Sequence, residues 1–251
     1  MEENRMLLEV CADSIDSALI AQSAGAYRIE YCNALSDGGI TPSYAQIETA
    51  RKLLHIKLYV LIRPRGGDFL YDDMEFEMMR AEIEFCGRIK CDGVVIGILN
   101  ADGTVDTKRC KELIRIAHSY KMGVTFHRAF DRCSDFFQGL EDIVELGCER
   151  ILTSGSRNSA VEGTHIIRSL VEQAGQRISI MPGAGIMPEN AEALIQNTGV
   201  KELHGTFRSR YPSNMTYHNP FLSHPEKEYG IMRTDYFKVR EMIDIIEKFN
   251  N

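Results

Sequence analysis

The sequence predicts an α/β fold, a TIM (β/α)8 barrel forming a single domain over residues 1–251, on three observations. Eight short apolar segments alternate with amphipathic helical ones, a rhythm that requires parallel strands joined by helical crossovers. The apolar segments have little polar alternation, as expected of strands covered by helices. Most of them end in ionisable or glycine-rich residues: Glu9-Val-Cys11, Glu30-Tyr-Cys32, Arg63-Pro-Arg-Gly-Gly-Asp68, the stretch GVTFHRAFD from Gly123 to Asp131, Thr153-Ser-Gly155, Pro182-Gly-Ala-Gly185 and Glu202-Leu-His204. Chemistry therefore gathers where strands stop, which is where barrels of this class hold their sites.

Each element follows from local pattern. Residues 7–11 form a short apolar strand; Asp13 or Ser14 caps a helix that ends at Ala24, with Gly25 as the stop. A second strand spans 28–32. A Ser/Asp/Gly loop over 36–39 leads to Thr41-Pro42, a cap and first-turn proline opening a helix to Leu54. Strand 57–62 precedes helix 74–88, strand 93–99 precedes helix 106–119, and strand 123–127 precedes helix 134–146. Strand 150–153, helix 160–174, strand 178–181, helix 189–197 and strand 201–204 complete the count. A polar segment of about 205–234, with Pro212, Pro220 and Pro225, reads as one long loop before a last helix at 235–249; loops of this length serve as lids, binding loops or interface arms, with disorder as the plain alternative.

Composition narrows the function classes. A formal net charge of -7 supplies no broad basic field, so no nucleic acid is expected, although a small anion needs only a local positive site. No stretch approaches the roughly 20 apolar residues that span a bilayer, and the start lacks a basic region followed by an apolar run; no membrane association is expected. Seven cysteines without CxxC pairs fit reduced thiols and a cytoplasmic location.

Three constellations carry candidate chemistry. Glu9, Glu30 and Glu202 cannot face the helix layer unpaired, so they are expected to point into the barrel and to line one polar pocket with Arg63, His127 and His204; the alternative is a set of buried ion pairs, such as Glu30 with Arg63. The Glu-x-Cys pattern occurs on the first two strands, so Glu9 shares a face with Cys11 and Glu30 with Cys32. Strands lie about 4.8 Å apart, and two thiolates so placed could clamp Cu(I), which soft ligands select; equally, each cysteine could be a small buried hydrophobe. Gly183 and Gly185 after strand seven and Gly205 after strand eight stand where barrels bind phosphate through backbone N–H groups, or serve only as tight turns. Arg65 offers a guanidinium for an anion, or is part of a surface turn.

RPRGGDFLY (63–71), DGVVIGIL (92–99), TFHRAFD (125–131), RILTSG (150–155), MPGAGI (181–186) and the ELH segment resemble the copper homeostasis protein CutC family, from Leu8 to His204. The segment GTFRSRYPSN after His204 matches less well. The resemblance implies a TIM barrel, a cytoplasmic location and a role in copper handling, with Cys11 and Cys32 as Cu(I) ligands; the second segment reads EYC where the family has ELC, which keeps the thiol.

Two functions are therefore expected in competition. In the first, the chain binds or passes Cu(I) through Cys11 and Cys32, whose sulfurs must then lie less than about 5 Å apart. In the second, it is an enzyme acting on a small anionic, phosphorylated or carboxylated metabolite. There His127 would be the acid or base, with its pKa raised by nearby carboxylates. Glu9 and Glu30 would be its partners, Arg63 and Arg65 the anion clamps, and Gly183, Gly185, His204 and Gly205 further binding residues. No organic cofactor is expected, and a homo-oligomer is.

Overall fold

The computed structural model describes residues 5–217, 219, 221 and 230–250. Its order is β1 (Leu7–Ala12), α1 (Ile15–Ser23), β2 (Arg28–Tyr31), α2 (Tyr44–Leu53), β3 (Lys57–Leu61), α3 (Asp73–Arg88), β4 (Gly93–Ile96), α4 (Thr107–Ser119), β5 (Gly123–Phe126), α5 (Phe136–Leu146), β6 (Arg150–Thr153), α6 (Thr164–Ala174), β7 (Ser179–Pro182), α7 (Pro188–Thr198) and β8 (Glu202–Gly205). Two further strands, β9 (Arg208–Pro212) and β10 (Gly230–Thr234), precede the last helix, α8 (Tyr236–Glu247).

Strands β1 to β8 are all parallel, and the hydrogen-bonded order runs from β7 back through β1 and on to β8. β7 and β8 then lie side by side, so the sheet is a nearly closed barrel, wrapped among the described residues by eight α-helices. Helix starts follow from their caps. Ser14 Oγ accepts the Ser17 N–H at 3.2 Å, and Ser43 with Gln46 and Asp72 with Glu75 form reciprocal capping boxes. Pro188 occupies the first turn of α7, where its missing N–H costs nothing. Among the described residues no helix is long and apolar enough to cross a membrane.

Alternation along each strand divides the molecule into two layers. Leu8, Val10, Ile29, Leu58, Val60, Val94, Val124 and Ile151 face outward and join the helices in the main apolar core. Their neighbours face inward, where a small apolar cluster of Cys11, Cys32, Tyr59, Leu61 and Val95 fills one side of the lumen. The rest of the lumen is charged. Arg28, the first residue of β2, donates from Nε to Glu9 and from Nη2 to Glu202, and it is 2 % exposed. Arg150, the first residue of β6, donates to Glu202 at 3.2 Å and to Thr125 Oγ1 at 3.2 Å. Both guanidiniums lie over the Tyr59 ring, 5.2 Å and 5.1 Å from its centroid. Two carboxylates against two guanidiniums leave this layer neutral, which is the condition for keeping buried charge.

The segment read from sequence as one long loop is in part a hairpin: β9 pairs antiparallel with β10, Arg208 opposite Thr234 and Pro212 opposite Gly230. Its strands are half-exposed and lack a clean apolar alternation, so the pattern gave no strand signal. The hairpin is tied to the start of the barrel and to the cap of α8. The Thr234 N–H donates to Ser17 Oγ at 3.1 Å, Arg208 Nη1 to Asp13 Oδ2 at 3.1 Å, and Ser209 Oγ to Asp235 Oδ2 at 2.7 Å. Residues 218, 220 and 222–229 of that segment, Pro220 and Pro225 among them, lie outside the described residues.

Candidate functional site

At the C-terminal ends of the strands lies a cavity of about 420 Å3, walled by residues of β1, β2, β8, the turns after β3, β5 and β7, and the hairpin. Cys11, Glu30, Arg63, His127, His204, Gly185 and Gly205 all line it. Six separate strand ends thus bring these candidate residues together, as the strand-end pattern implied. Glu9 is fully buried one layer below, and Gly183 packs behind His204, where an added Cβ would meet Leu152 at 2.6 Å and the His204 ring at 3.2 Å.

Two expected members lie elsewhere. Glu202, the first residue of β8, is held at the other end of the lumen by Arg28 and Arg150 and does not reach the cavity. Arg65 is outside as well: its Nε donates to Glu75 at 2.6 Å and its Nη2 to Asp68 at 3.0 Å and to the Leu70 carbonyl at 2.8 Å, so it clips its own loop. Strand β3 ends at Leu61 and Pro64 turns the chain, so the alternation that would place Arg63 and Arg65 together no longer applies. The alternative ion pair of Glu30 with Arg63 does not form. The Nη1 of Arg63 donates to the carbonyls of Asp37 at 3.0 Å and Gly39 at 2.7 Å, and its Nη2 to the carbonyl of Gly67 at 2.9 Å.

The thiols meet across β1 and β2. Cys11 Sγ lies 3.5 Å from Cys32 Sγ and 3.6 Å from Glu30 Oε1; both cysteines are buried and free. One ligand atom each from Cys11, Glu30 and His204 fall within 4.8 Å of one another. The Cys32 contact and burial push the Cys11 thiol well above its usual range. Burial pushes the Glu30 carboxyl up to about 7, with the Glu9 charge adding to the shift and His204 opposing it.

Of the two histidines that line the cavity, His204 is the one with a carboxylate partner. Burial works against its charge, yet bonds to Cys11 and Glu9 hold the imidazolium proton well above the ordinary range. Glu9 is the reverse case: burial alone would raise it, but Arg28 and His204 hold it far below the usual carboxylate range. The expectation of a raised pKa for His127 is corrected. Burial and the nearby Arg63 charge press it down to about 3, so it is a neutral ring. Its Nδ1 accepts the Ala129 N–H at 3.1 Å, and its Nε2 has no protein partner. Gly97 makes room for this ring; an added Cβ there would sit 2.5 Å from it.

Sequence reasoning gave no role to Arg28, Arg150 or Phe69. An arginine opening a strand resembles the polar exit of a turn, and only the closed barrel turns it inward. Asp131 was singled out only as part of its cluster. It accepts from Thr153 Oγ1 at 2.5 Å, from the Ser154 and Ser156 N–H groups and from Arg128 Nε at 2.7 Å, which locks the turn after β5 onto the end of β6. The i,i+3 spacing of Arg128 and Asp131 was the signal available for that pair.

Comparison with known proteins adds a family and a fold. The family model described as CutC family matches residues 6–209. A CutC family protein of Xanthomonas campestris pv. campestris (strain B100) is 47 % identical over 242 residues, covering 96 % of this chain and 99 % of that one. One from Pasteurella multocida (strain Pm70) is 46 % identical over 246 residues, covering 97 % and 100 %. A crystal structure from Streptococcus agalactiae, described as that of a candidate copper homeostasis protein CutC, superimposes with a TM-score of 0.76 at 38 % identity, covering 80 % of this chain and 98 % of that one. Thiamine phosphate pyrophosphorylase from Pyrococcus furiosus, at 14 % identity and a TM-score of 0.60, shares the fold alone.

Proposed function

The chain belongs to the CutC family, and from that premise we propose that it serves copper homeostasis by binding Cu(I) between Cys11 and Cys32 at the top of its barrel. One observation carries the reading: the two sulfurs lie 3.5 Å apart without being joined. An ion bound to both at about 2.3 Å, the zinc–thiolate length, needs them no more than about 4.6 Å apart. Soft thiolates select the monovalent ion over harder competitors.

His204 supports the same site. With its Nδ1 on Glu9 Oε1 at 2.7 Å, its Nε2 is left to face the thiol end of the cavity, and a carboxylate behind a ligating imidazole is the usual support of a metal-bound histidine. Glu30 holds the Cys11 thiol from the other side. Binding would release protons, because thiols and imidazole ligate only when deprotonated.

The test is titration of the reduced protein with Cu(I) against a competing chelator, repeated with Cys11→Ser and Cys32→Ser. Each substitution should weaken binding at least tenfold. Affinity unchanged in both removes these thiols as ligands.

A further inference from the structure

Arg63 and His127 both pack on the ring of Phe69 at the mouth of the barrel. The guanidinium carbon lies 5.0 Å from the ring centroid and the imidazole centroid 4.9 Å from it. Each residue is 5 % exposed, and each has one buried nitrogen that makes no hydrogen bond, Nε of Arg63 and Nε2 of His127. Three of the four Nη–H groups of Arg63 donate to backbone carbonyls, and among the described residues no carboxylate comes within the 4.0 Å of an ion pair. Its charge is therefore buried without a counter-charge. Because Nδ1 of His127 accepts from Ala129, the proton of the neutral ring sits on Nε2 and makes that atom a donor.

An unmet buried donor is destabilising, and an unpaired buried charge is more so. Both are concentrated on one wall of one cavity. At about 420 Å3 the cavity is larger than an ion between two sulfurs requires and falls within the roughly 300–1,000 Å3 of small-molecule sites. The geometry points to a binding site for a small organic oxyanion, its carboxylate or phosphate group held by Arg63 Nε–H and His127 Nε2–H and its carbon body laid against Phe69. Glu30 Oε2, also without a partner and on the same cavity, receives a hydroxyl at the far end of such a molecule. This site goes beyond the copper reading and shares with it the cavity and Glu30.

The test uses the full-length, metal-free, reduced protein and isothermal titration with four probes: inorganic phosphate, glycerol 3-phosphate, malonate and lactate. At least one should bind saturably with one site per chain, and the phosphate arms against the carboxylate arms decide which oxyanion is preferred. His127→Ala and Arg63→Lys should each raise its Kd fivefold or more, while Arg65→Gln, on the loop outside the cavity, should raise it less than fivefold. Should Arg63→Lys not fold, judged by circular dichroism, His127→Ala alone decides. Absence of saturable binding by all four probes, a smaller effect of His127→Ala, or an equal effect of Arg65→Gln overturns the proposal. The anion titration of the metal-free protein reads Arg63 and His127, whereas the Cu(I) titration reads Cys11 and Cys32, so the failure of either reading is distinguishable from the failure of the other.

Discussion

His204 and Glu9 occupy paired positions on β8 and β1, and the imidazole Nδ1 lies 2.7 Å from the Glu9 carboxylate. Glu9 also receives Arg28 Nε, so one carboxylate joins the neutral charged layer of the lumen to the histidine of the cavity. Glu9→Gln leaves Arg28 and His204 with a neutral acceptor in a site without solvent. Removing one partner of a buried pair typically costs about 3–5 kcal/mol. Urea unfolding at pH 7 should show a loss of that order. A loss under 1 kcal/mol would mean that the lumen charges are not coupled to stability.

The raised Glu30 carboxyl makes stability depend on pH. Its ordinary value of 4.5 applies to the unfolded chain and its folded value is about 7, so the folded state holds the proton more tightly. The stabilising contribution is complete below pH 4.5, falls as the unfolded chain ionises first, and is gone above about pH 7. One pKa unit corresponds to about 1.4 kcal/mol, so the decline is on the order of 3 kcal/mol. Glu30→Gln should flatten this decline when unfolding free energy is measured from pH 4.5 to pH 8. An undiminished slope in the variant would assign the dependence to other groups.

Gly97→Ala tests how the His127 ring is seated. The added methyl would lie 2.5 Å from the imidazole, closer than real contacts allow, so ring or backbone must shift. Overpacking of this kind typically costs about 1–3 kcal/mol. The melting temperature should fall, and the His127 ring resonances should move in the nuclear magnetic resonance spectrum. Neither change would mean that the ring has free space behind it.

Much of the barrel was legible because alternation and strand-end residues are local signals. Glu9 with Cys11 and Glu30 with Cys32 were assigned to shared faces from spacing alone, and they share those faces. What was illegible depended on closure or on the end of regularity. Arg28 and Arg150 stand at strand starts, where a charged residue ordinarily meets water; only the completed ring supplies Glu9, Glu202 and Tyr59 to receive them. Arg63 and Arg65 are two residues apart, yet Pro64 sends one into the cavity and leaves the other on a loop. His127 was expected among carboxylates, but the carboxylates belong to His204, and no pattern in a single strand distinguishes the two histidines.

The hairpin of β9 and β10 brings Arg208 and Met232 to the cavity wall, while the thiols and the charged lumen belong to the regular strands. The family match stops at residue 209, so Met232 lies beyond it. The rim and the interior are therefore built by different parts of the chain. A substitution at Met232 alters the cavity wall without touching a charged contact of the lumen, so what enters the cavity and the ion pairs beneath it can be changed separately.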